Sequence, residues 1–259
     1  MTDANEPGQP SIPVSTSGPT ISSIDLATPS VALAIGAHPD DIEFGCGGTL
    51  AKWAAAGCTI HHLVLTDGSK GTWDVDADTR ALVVRRQLEQ REAARRLGST
   101  GEVVFLEQID GELAESPALV SEIARHIRRL RPNVVLGHDP WKRYRLHPDH
   151  RHAGFLTCDA IVVARDPHFC PEHGIAHHRP DALLLWEADE PDHAEDVSRS
   201  VDAKIDALLA HESQFESTMK ATDADALAAF ERRIRRRLAE LGNDIGRSAA
   251  EIFKKIDNL

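Results

Sequence analysis

Short apolar runs alternate with helix-like segments along most of this chain, and this alternation constrains the fold more than any other feature. The predicted strands are 31–35, 59–66, 103–106, 133–137 and 181–186, and the predicted helices between them are 47–56, 79–97, 117–130 and 150–164. Repetition of strand, helix and strand implies a parallel sheet with helices on both faces. We therefore predict an α/β fold, a Rossmann-like and mostly parallel sheet flanked by helices. A chain of 259 residues is long enough to bury such a core in one domain.

The two ends of the chain have a different character. Residues 1–29 are rich in Ser, Thr, Pro and Gly and lack the basic and apolar regions of a signal peptide, so we predict a disordered N-terminal tail. Residues 30–259 are predicted to form a single domain with a helical C-terminal part, at 201–211, 223–241 and 247–256. No run approaches the roughly 18 apolar residues of a membrane span.

Charge and cysteine content exclude several functional classes. The formal net charge of −12 argues against a general nucleic-acid binder, because neutralising phosphates needs a basic face. Cys46, Cys58, Cys158 and Cys170 form no C-x-x-C pair, so neither a zinc ribbon nor a thioredoxin motif is present. We interpret them as small, reduced, buried side chains of a cytoplasmic protein.

Polar side chains follow four of the predicted strands. Asp40 and Asp41 follow the first, Asp67 the second, Asp110 the third and His138-Asp139 the fourth. In an open parallel sheet, ligands bind beyond the carboxyl ends of the strands. The sequence therefore predicts an active site at this edge of the sheet.

Two clusters suggest that this site holds a divalent metal. The first, Ala37-His38-Pro39-Asp40-Asp41-Ile42-Glu43, places an imidazole and three carboxylates together, which is costly unless a cation or a reaction needs them. The second is His147-Pro148-Asp149-His150. His38 and Asp41 can point to one spot, Asp40 can face a water as general base, and one histidine of the second cluster can complete the ligand shell. The alternatives are helix capping by the acidic residues of the first cluster and a polar surface loop for the second.

The motifs resemble those of the LmbE-like/PIG-L family of zinc-dependent N-deacetylases. The first family signature is similar to His38-Pro-Asp-Asp-Ile-Glu followed by Gly45-Cys-Gly-Gly-Thr-Leu50, and the second to His147-Pro-Asp-His150 with Ala153-Gly154. Weaker similarities are Thr66-Asp-Gly68, Arg86-x-x-Glu89 with Leu97-Gly98, Asp110-Gly111, His211-x-Ser-Gln214 and Glu251-x-Phe253. The resemblance covers residues 30–255.

The resemblance implies both residue roles and an activity. His38, Asp41 and His150 would bind Zn²⁺, with Fe²⁺ as the alternative ion. Asp40 would be the general base, and His147 would stabilise the oxyanion or protonate the leaving amine. Family members commonly remove acetyl groups from molecules that contain N-acetylglucosamine, so the expected function is metal-dependent removal of an acetyl or other acyl group from a small glycoconjugate.

Further positions have weaker support. Arg86, Asp110 and His211 match family positions that can lie near the substrate, whereas a helix-surface Arg, a turn Asp and a packed His are the plain alternatives. Asp67 and Asp139 are candidates for orienting the ligands from behind. Trp141 and Tyr144 could stack on a sugar, with Lys142, Arg143 and Arg145 meeting an anion, although a solvated loop is the alternative. The histidines at 168, 173, 177 and 178 are interpreted as part of a variable loop.

Three other functions are less consistent with these motifs. A dinucleotide-dependent redox enzyme is disfavoured because the stretch at Gly45 does not complete G-x-G-x-x-G. A two-metal phosphoesterase is disfavoured because one set of ligands is evident. A non-catalytic sugar-binding relative would be expected to lose a signature residue, and all five are present. The expected partner is a small-molecule glycoconjugate, with no nucleic acid and no membrane span, and homo-oligomer formation is left open.

Overall fold

The computed structural model describes residues 20–259, so residues 1–19 of the predicted tail, which spans 1–29, lie outside the described residues. The strands are β1 (Ser23–Ile24), β2 (Val31–Gly36), β3 (Thr59–Thr66), β4 (Val103–Gln108), β5 (Val134–His138), β6 (Ala182–Trp186), β7 (His193–Asp196) and β8 (Ala250–Asp257). The α-helices are α1 (Asp41–Ala55), α2 (Thr79–Arg96), α3 (Pro117–Leu130), α4 (Pro148–Arg165), α5 (Val201–Leu208) and α6 (Ala224–Asn243). Short 3₁₀ turns occur at Pro171–His173 and Glu212–Gln214.

All eight strands belong to one sheet in the order β1-β7-β8-β6-β5-β2-β3-β4. The pairs from β6 through β5, β2 and β3 to β4 are parallel, and β1 is parallel to β7. Only β8 runs antiparallel, against β6 on one side and β7 on the other. The predicted α/β class with a mostly parallel sheet is confirmed.

The C-terminal part of the predicted secondary structure needs a correction. The segment predicted as a helix at 247–256 is strand β8, paired residue by residue with β6 from Ala182↔Asp257 to Trp186↔Phe253. The apolar positions in this short segment fit the periodicity of a helix and that of a strand. The structure has the strand, because β8 forms backbone hydrogen bonds with both β6 and β7.

The N-terminal prediction also differs within the described residues. Residues Ser23–Ile24, which belong to the predicted tail, form strand β1 against His193 and Ala194 of β7. Neither β1 nor β7 is predicted from the sequence. The backbone N–H of Leu26 then donates to a carboxylate oxygen of the buried Glu195 at 2.9 Å. Long-range pairing of a two-residue strand leaves no trace in local composition.

Helix α1 begins six residues earlier than predicted. It starts at Asp41, directly after Asp40, and its backbone departs from helical geometry at Cys46, where φ is −146° and ψ is 16°. The first turn of α1 therefore belongs to the metal motif itself.

Helix α3 begins with a typical N-terminal cap. Ser116 accepts from the N–H of Leu119, and Pro117 occupies the first turn.

Apolar side chains fill both faces of the sheet. On one face, Leu50 and Trp53 of α1 pack with Ile60 of β3. On the other, Ile123 of α3 and Leu156 of α4 pack against Leu33 of β2. Helices on both faces explain why the central strands are apolar along their whole length.

The strand order fixes where the site lies. From β2 the chain adds β3 and β4 on one side and then returns to add β5 and β6 on the other. The loops that leave β2 and β5 therefore diverge and open a crevice at the carboxyl ends of these two strands, which is the usual ligand position in open α/β sheets. None of the helices within residues 20–259 is long and apolar enough to cross a lipid bilayer.

The buried carboxylate of Glu251 ties β8 to the kinked helix α1 by hydrogen bonds and to α5 by an ion pair. Glu251 is 3% exposed and accepts from the N–H groups of Gly48 and Thr49 at 2.9 and 2.8 Å and from Nζ of Lys204 at 2.6 Å. These N–H groups lie just after the kink, where the helix has lost backbone acceptors.

We expect Glu251→Ala to lower the free energy of unfolding by about 3–5 kcal/mol, because the buried ammonium of Lys204 loses its counter-ion. Urea denaturation measures this change. Glu240→Ala is the matched control, since Glu240 is more than half exposed and lies 3.8 Å from Arg236, a pair typically worth less than about 1 kcal/mol. A difference below about 1 kcal/mol between the two variants would show that Glu251 has no such role.

Candidate active site

Donor atoms of three side chains converge at the carboxyl end of β2. Nδ1 of His38 lies 3.3 Å from Oδ2 of Asp41, Nε2 of His150 lies 3.2 Å from Oδ1 of Asp41, and the two histidine nitrogens are 3.3 Å apart. These are the three residues predicted as metal ligands, and the structure brings them together from the β2–α1 junction and the first turn of α4.

The spacing of these donors fits a divalent ion. Ligands at about 2.0–2.1 Å from a tetrahedral zinc lie about 3.3 Å from one another. Two imidazoles and one carboxylate are also a donor set that Zn²⁺ and Fe²⁺ accept, leaving further positions open for water or substrate.

His38 is oriented from behind by two carboxylates. Its Nε2 lies 3.1 Å from Oδ2 of Asp149 and 3.2 Å from Oδ1 of Asp110. When Nε2 is protonated, it donates to these carboxylates, and the lone pair of Nδ1 is then available to bind the ion. This is the usual arrangement behind a metal-binding histidine. Asp149 is fully buried and also accepts from the N–H of Gly111 at 2.6 Å.

Asp41 is held by a histidine that the sequence analysis did not assign. Nε2 of His138, at the end of β5, lies 3.2 Å from Oδ2 of Asp41. The indole N–H of Trp186 donates to Nδ1 of His138 at 3.1 Å, so the proton on His138 faces Asp41. Burial acts to raise the pKa of Asp41, but the positive fields of His150 and His138 lower it well below its usual range.

Asp40 lies between the ligands in a strained backbone conformation. Its φ is 106°, a region that residues other than Gly rarely adopt. Its side chain is buried, and its Oδ2 has no hydrogen-bond partner among the described residues. Burial raises the pKa of Asp40 to about 6, with the Arg86 guanidinium acting in the opposite direction.

Arg86 stabilises this conformation. Its Nη2 donates to the carbonyl oxygen of Pro39 at 2.6 Å and lies 3.6 Å from Oδ2 of Asp40, while its Nη1 donates to the carbonyl of Gly68 at 2.9 Å. Arg86 borders the cavity, as expected of a substrate-binding candidate, but it is 3% exposed and its hydrogen bonds hold the loops that carry Asp40.

A buried polar chain extends behind Asp40. The N–H of Asp40 donates to Oε1 of Gln90 at 3.0 Å, and the amide of Gln90 donates to Oε1 of Glu43 at 2.7 Å. Oε2 of Glu43 lies 3.2 Å from Nε2 of His211. His211, a predicted substrate-binding residue, is fully buried and lies behind the site rather than on the cavity wall.

His147 lies on the open side of the ligand cluster. Its ring centroid is 4.7 Å from that of His38 and 4.8 Å from that of His150. Partial burial and the charge on His38 lower the pKa of His147. A neutral imidazole therefore faces the space beside the ligands.

The other predicted residues divide into two groups. Asp110 borders the cavity, and Asp67 supports it by accepting from the N–H of Asp110 at 3.1 Å. Asp139 accepts from the N–H of Trp141 at 2.9 Å and, within the described chain, makes no hydrogen bond to a histidine. The orienting role predicted for Asp139 falls instead to His138 and Asp149 in this structure.

In the loop before the second motif, Arg145 faces the ligand cluster rather than solvent. Arg145 is 9% exposed, points inward with Nη1 3.3 Å from Nδ1 of both His138 and His150, and pairs with Glu187 at 2.7 Å. The ring of Trp141 packs on Phe155, with centroids 5.7 Å apart. Tyr144 is 89% exposed.

The histidine-rich segment contains a second group of possible donors. Cys170, Glu172 and His173 lie close together, but Arg128 occupies this region, donating to the Cys170 carbonyl at 3.2 Å and lying 3.3 Å from Nδ1 of His173. A fixed guanidinium disfavours a second cation there. The interpretation of this segment as a variable loop therefore stands as a prediction.

A cavity of about 560 Å³ opens onto the ligand cluster. Its wall includes several residues that the sequence analysis did not single out for this site, among them Phe44, Lys70, Trp73, Trp186, Glu187 and Gln214. Its size suits a small-molecule ligand.

Comparison with known proteins identifies relatives. Residues 33–161 match the family model described as PIG-L, GlcNAc-PI de-N-acetylase. A diacetylchitobiose deacetylase of Thermococcus kodakarensis is 38% identical over 186 residues, which are 71% of this chain and 69% of that protein. A 1D-myo-inositol 2-acetamido-2-deoxy-alpha-D-glucopyranoside deacetylase of Catenulispora acidiphila is 30% identical over 197 residues, covering 66% of this chain and 58% of that protein.

Solved structures agree with this result. The N,N'-diacetylchitobiose deacetylase of Pyrococcus horikoshii superposes with a TM-score of 0.80 and 28% identity, covering 88% of this chain and 84% of that one. GalB, a 4-carboxy-2-hydroxymuconate hydratase from Pseudomonas, superposes with a TM-score of 0.73 at 20% identity over 89% of this chain and 97% of that one, which shows the shared fold alone. Sequence motifs, fold and relatives agree that this chain belongs to the PIG-L family of deacetylases.

Proposed function

We propose that this protein is a metal-dependent amide hydrolase that removes an acetyl group from an N-acetylglucosamine-type sugar conjugate. The observation that carries the proposal is the cluster of His38, Asp41 and His150 at 3.2–3.3 Å, with the unpartnered carboxylate oxygen of Asp40 beside it. Another acyl group in place of acetyl is compatible with the same chemistry.

His38, Asp41 and His150 would hold the ion, for which we propose Zn²⁺, with Fe²⁺ as the alternative. When bound, such an ion would lower the pKa of a water toward about 7 and polarise the amide carbonyl. The carboxylates of Asp149 and Asp110 keep the Nδ1 lone pair of His38 directed at the ion.

Asp40 accepts the proton of the attacking water. Its pKa of about 6 leaves it ionised at neutral pH yet close enough to the working pH for efficient proton transfer. The hydrogen bonds of Gln90 and Arg86 to the backbone around Asp40 hold this carboxylate in place.

His147 donates a hydrogen bond to the oxyanion that develops on the carbonyl. Its lowered pKa keeps the ring neutral, so we assign the proton for the leaving amine to the protonated Asp40. A donor in such a position contributes about 3 kcal/mol to stabilising the transition state in comparable sites.

The names of the relatives support the substrate class. They are deacetylases of diacetylchitobiose and of an N-acetylglucosamine-type inositol conjugate. We further propose a cytoplasmic location, supported by the four free cysteines. Thiol labelling in intact and lysed cells tests it, since labelling of intact cells by an impermeant reagent would contradict it.

An assay of the released products tests the activity. Zinc-loaded protein is incubated with N,N'-diacetylchitobiose, an N-acetylglucosamine–inositol conjugate and a phosphomonoester, and free amine, acetate and phosphate are measured. We expect amine and acetate in equal amounts from at least one sugar. Phosphate without amine would indicate a phosphoesterase, and sugar binding without either product would indicate a sugar-binding module.

A further inference from the structure

Trp73 differs from the other tryptophans of the chain. Trp53 and Trp186 are buried in the core, and Trp141, although 60% exposed, packs its ring on Phe155. Trp73 is 76% exposed and forms no aromatic pair among the described residues. Single exposed apolar side chains are common, so exposure alone assigns no role.

Trp73 lies in the same cavity as the predicted metal ligands, so its exposed ring can contact a bound ligand. It belongs to the wall of the cavity that contains His38 and His150, together with Lys70, Gly71 and Thr72. The ligands His38 and Asp41 are only 7% and 9% exposed, whereas the largely exposed Trp73 stands at the cavity mouth. A ligand that places an amide at the cluster would bring whatever is attached to its sugar toward this mouth.

The loop that carries Trp73 is fixed before any ligand binds. The carbonyl of Gly71 accepts from Nε2 of Gln214 at 3.0 Å and from Oγ of Ser217 at 3.2 Å. A Cβ on Gly71 would collide with Nη1 of Arg86, so the loop packs directly on the residue that holds Asp40. An indole presented on such a loop costs little ordering when it binds a ligand.

We propose that Trp73 forms a second subsite, which stacks on the pyranose ring next to the N-acetylglucosamine that is deacetylated. The C–H face of a pyranose is apolar and matches the face of an indole, and a neutral contact needs no charged partner. The preferred substrate then contains at least two sugar rings. This inference rests on the proposed function, and it adds the size of the substrate and the residue that selects it.

The test compares one sugar with two. Trp73→Ala, Trp73→Phe and the matched control Phe169→Ala, at an exposed aromatic residue outside this cavity, are assayed with N-acetylglucosamine and with N,N'-diacetylchitobiose. We expect Trp73→Ala to raise KM for the disaccharide about tenfold, equivalent to about 1.4 kcal/mol, with kcat retained and the monosaccharide unaffected. Trp73→Phe keeps most of the disaccharide affinity, and Phe169→Ala matches wild type.

Binding measurements separate this inference from the proposed function. Calorimetric titration of the Asp40→Asn protein, with and without Trp73→Ala, measures disaccharide affinity without turnover. If loss of the indole weakens disaccharide binding and leaves monosaccharide binding unchanged, the subsite is supported, whether or not the wild type releases amine. Absence of amine release by the wild type would overturn only the deacetylase proposal. Equal effects on both sugars, or none on either, would overturn the subsite.

Discussion

Replacing Asp40 by Asn is expected to abolish most turnover while leaving the metal in place. General-base catalysis contributes typically 10²–10⁴-fold, so we expect kcat to fall about 10³-fold. The amide cannot take a proton from water, but it preserves the size of the side chain. The hydrogen bond from the N–H of residue 40 to Gln90 is kept as well.

The backbone at residue 40 makes this substitution informative. With φ at 106°, most side chains would add strain, whereas Asn is among the residues that tolerate positive φ best. Elemental analysis and a melting curve establish that the variant is folded and loaded. Asp159→Asn, on the exposed surface of α4, is the matched control and should match wild type. Full turnover in metal-loaded Asp40→Asn would remove Asp40 as the base.

Loss of His150 is expected to empty the metal site. His150→Ala removes one of three donors, and the remaining pair, His38 and Asp41, is a weak site for a divalent ion. We expect bound metal after dialysis, measured by elemental analysis, to fall from about one ion per chain to a small fraction.

His152 provides a matched control on the same helix. It is two residues further along α4 and pairs with Glu115 at 2.8 Å, away from the ligand cluster. His152→Ala should retain the metal of the wild type. Unchanged metal in His150→Ala would mean that the predicted ligand set is wrong.

The site was largely predictable because its parts lie at strand ends. Apolar runs locate the carboxyl ends of β2 and β5. The first histidine-containing motif follows β2 directly, and the second stands at the start of α4, after the loop that leaves β5. Local spacing brings His38 and Asp41 together. The matching motif provides His150 as the third predicted ligand and His147 beside it. The parallel topology alone then requires them to meet, although they are more than a hundred positions apart in the chain.

The residues behind the ligands were harder to predict for physical reasons. Neighbouring residues 138 and 139 point in different directions, and sequence does not say which faces the site. The structure selects His138 because Trp186 holds its ring. Asp149 reaches His38 only through the packing of α4 beside Gly111. For His211 the sequence leaves a substrate contact and a packed histidine open, and the chain through Gln90 and Glu43 favours the packed position, behind Asp40.

The secondary structure shows the same division between local and long-range information. Capping by Ser116 and the adjacent proline marks the start of α3 within a few residues. Strands β1 and β8 owe their conformation to partners more than 50 residues away, so no local pattern predicts them reliably.

A metal titration of the stripped protein tests the central claim most directly. The protein is treated with chelator, then given Zn²⁺ or, anaerobically, Fe²⁺ in substoichiometric steps, while bound metal and amine release from N,N'-diacetylchitobiose are measured together. We predict no release from the stripped protein, a linear rise with bound metal, and a break at one ion per chain, with acetate equal to amine throughout. Undiminished amine release from the stripped protein, or none at full metal loading, would contradict the account.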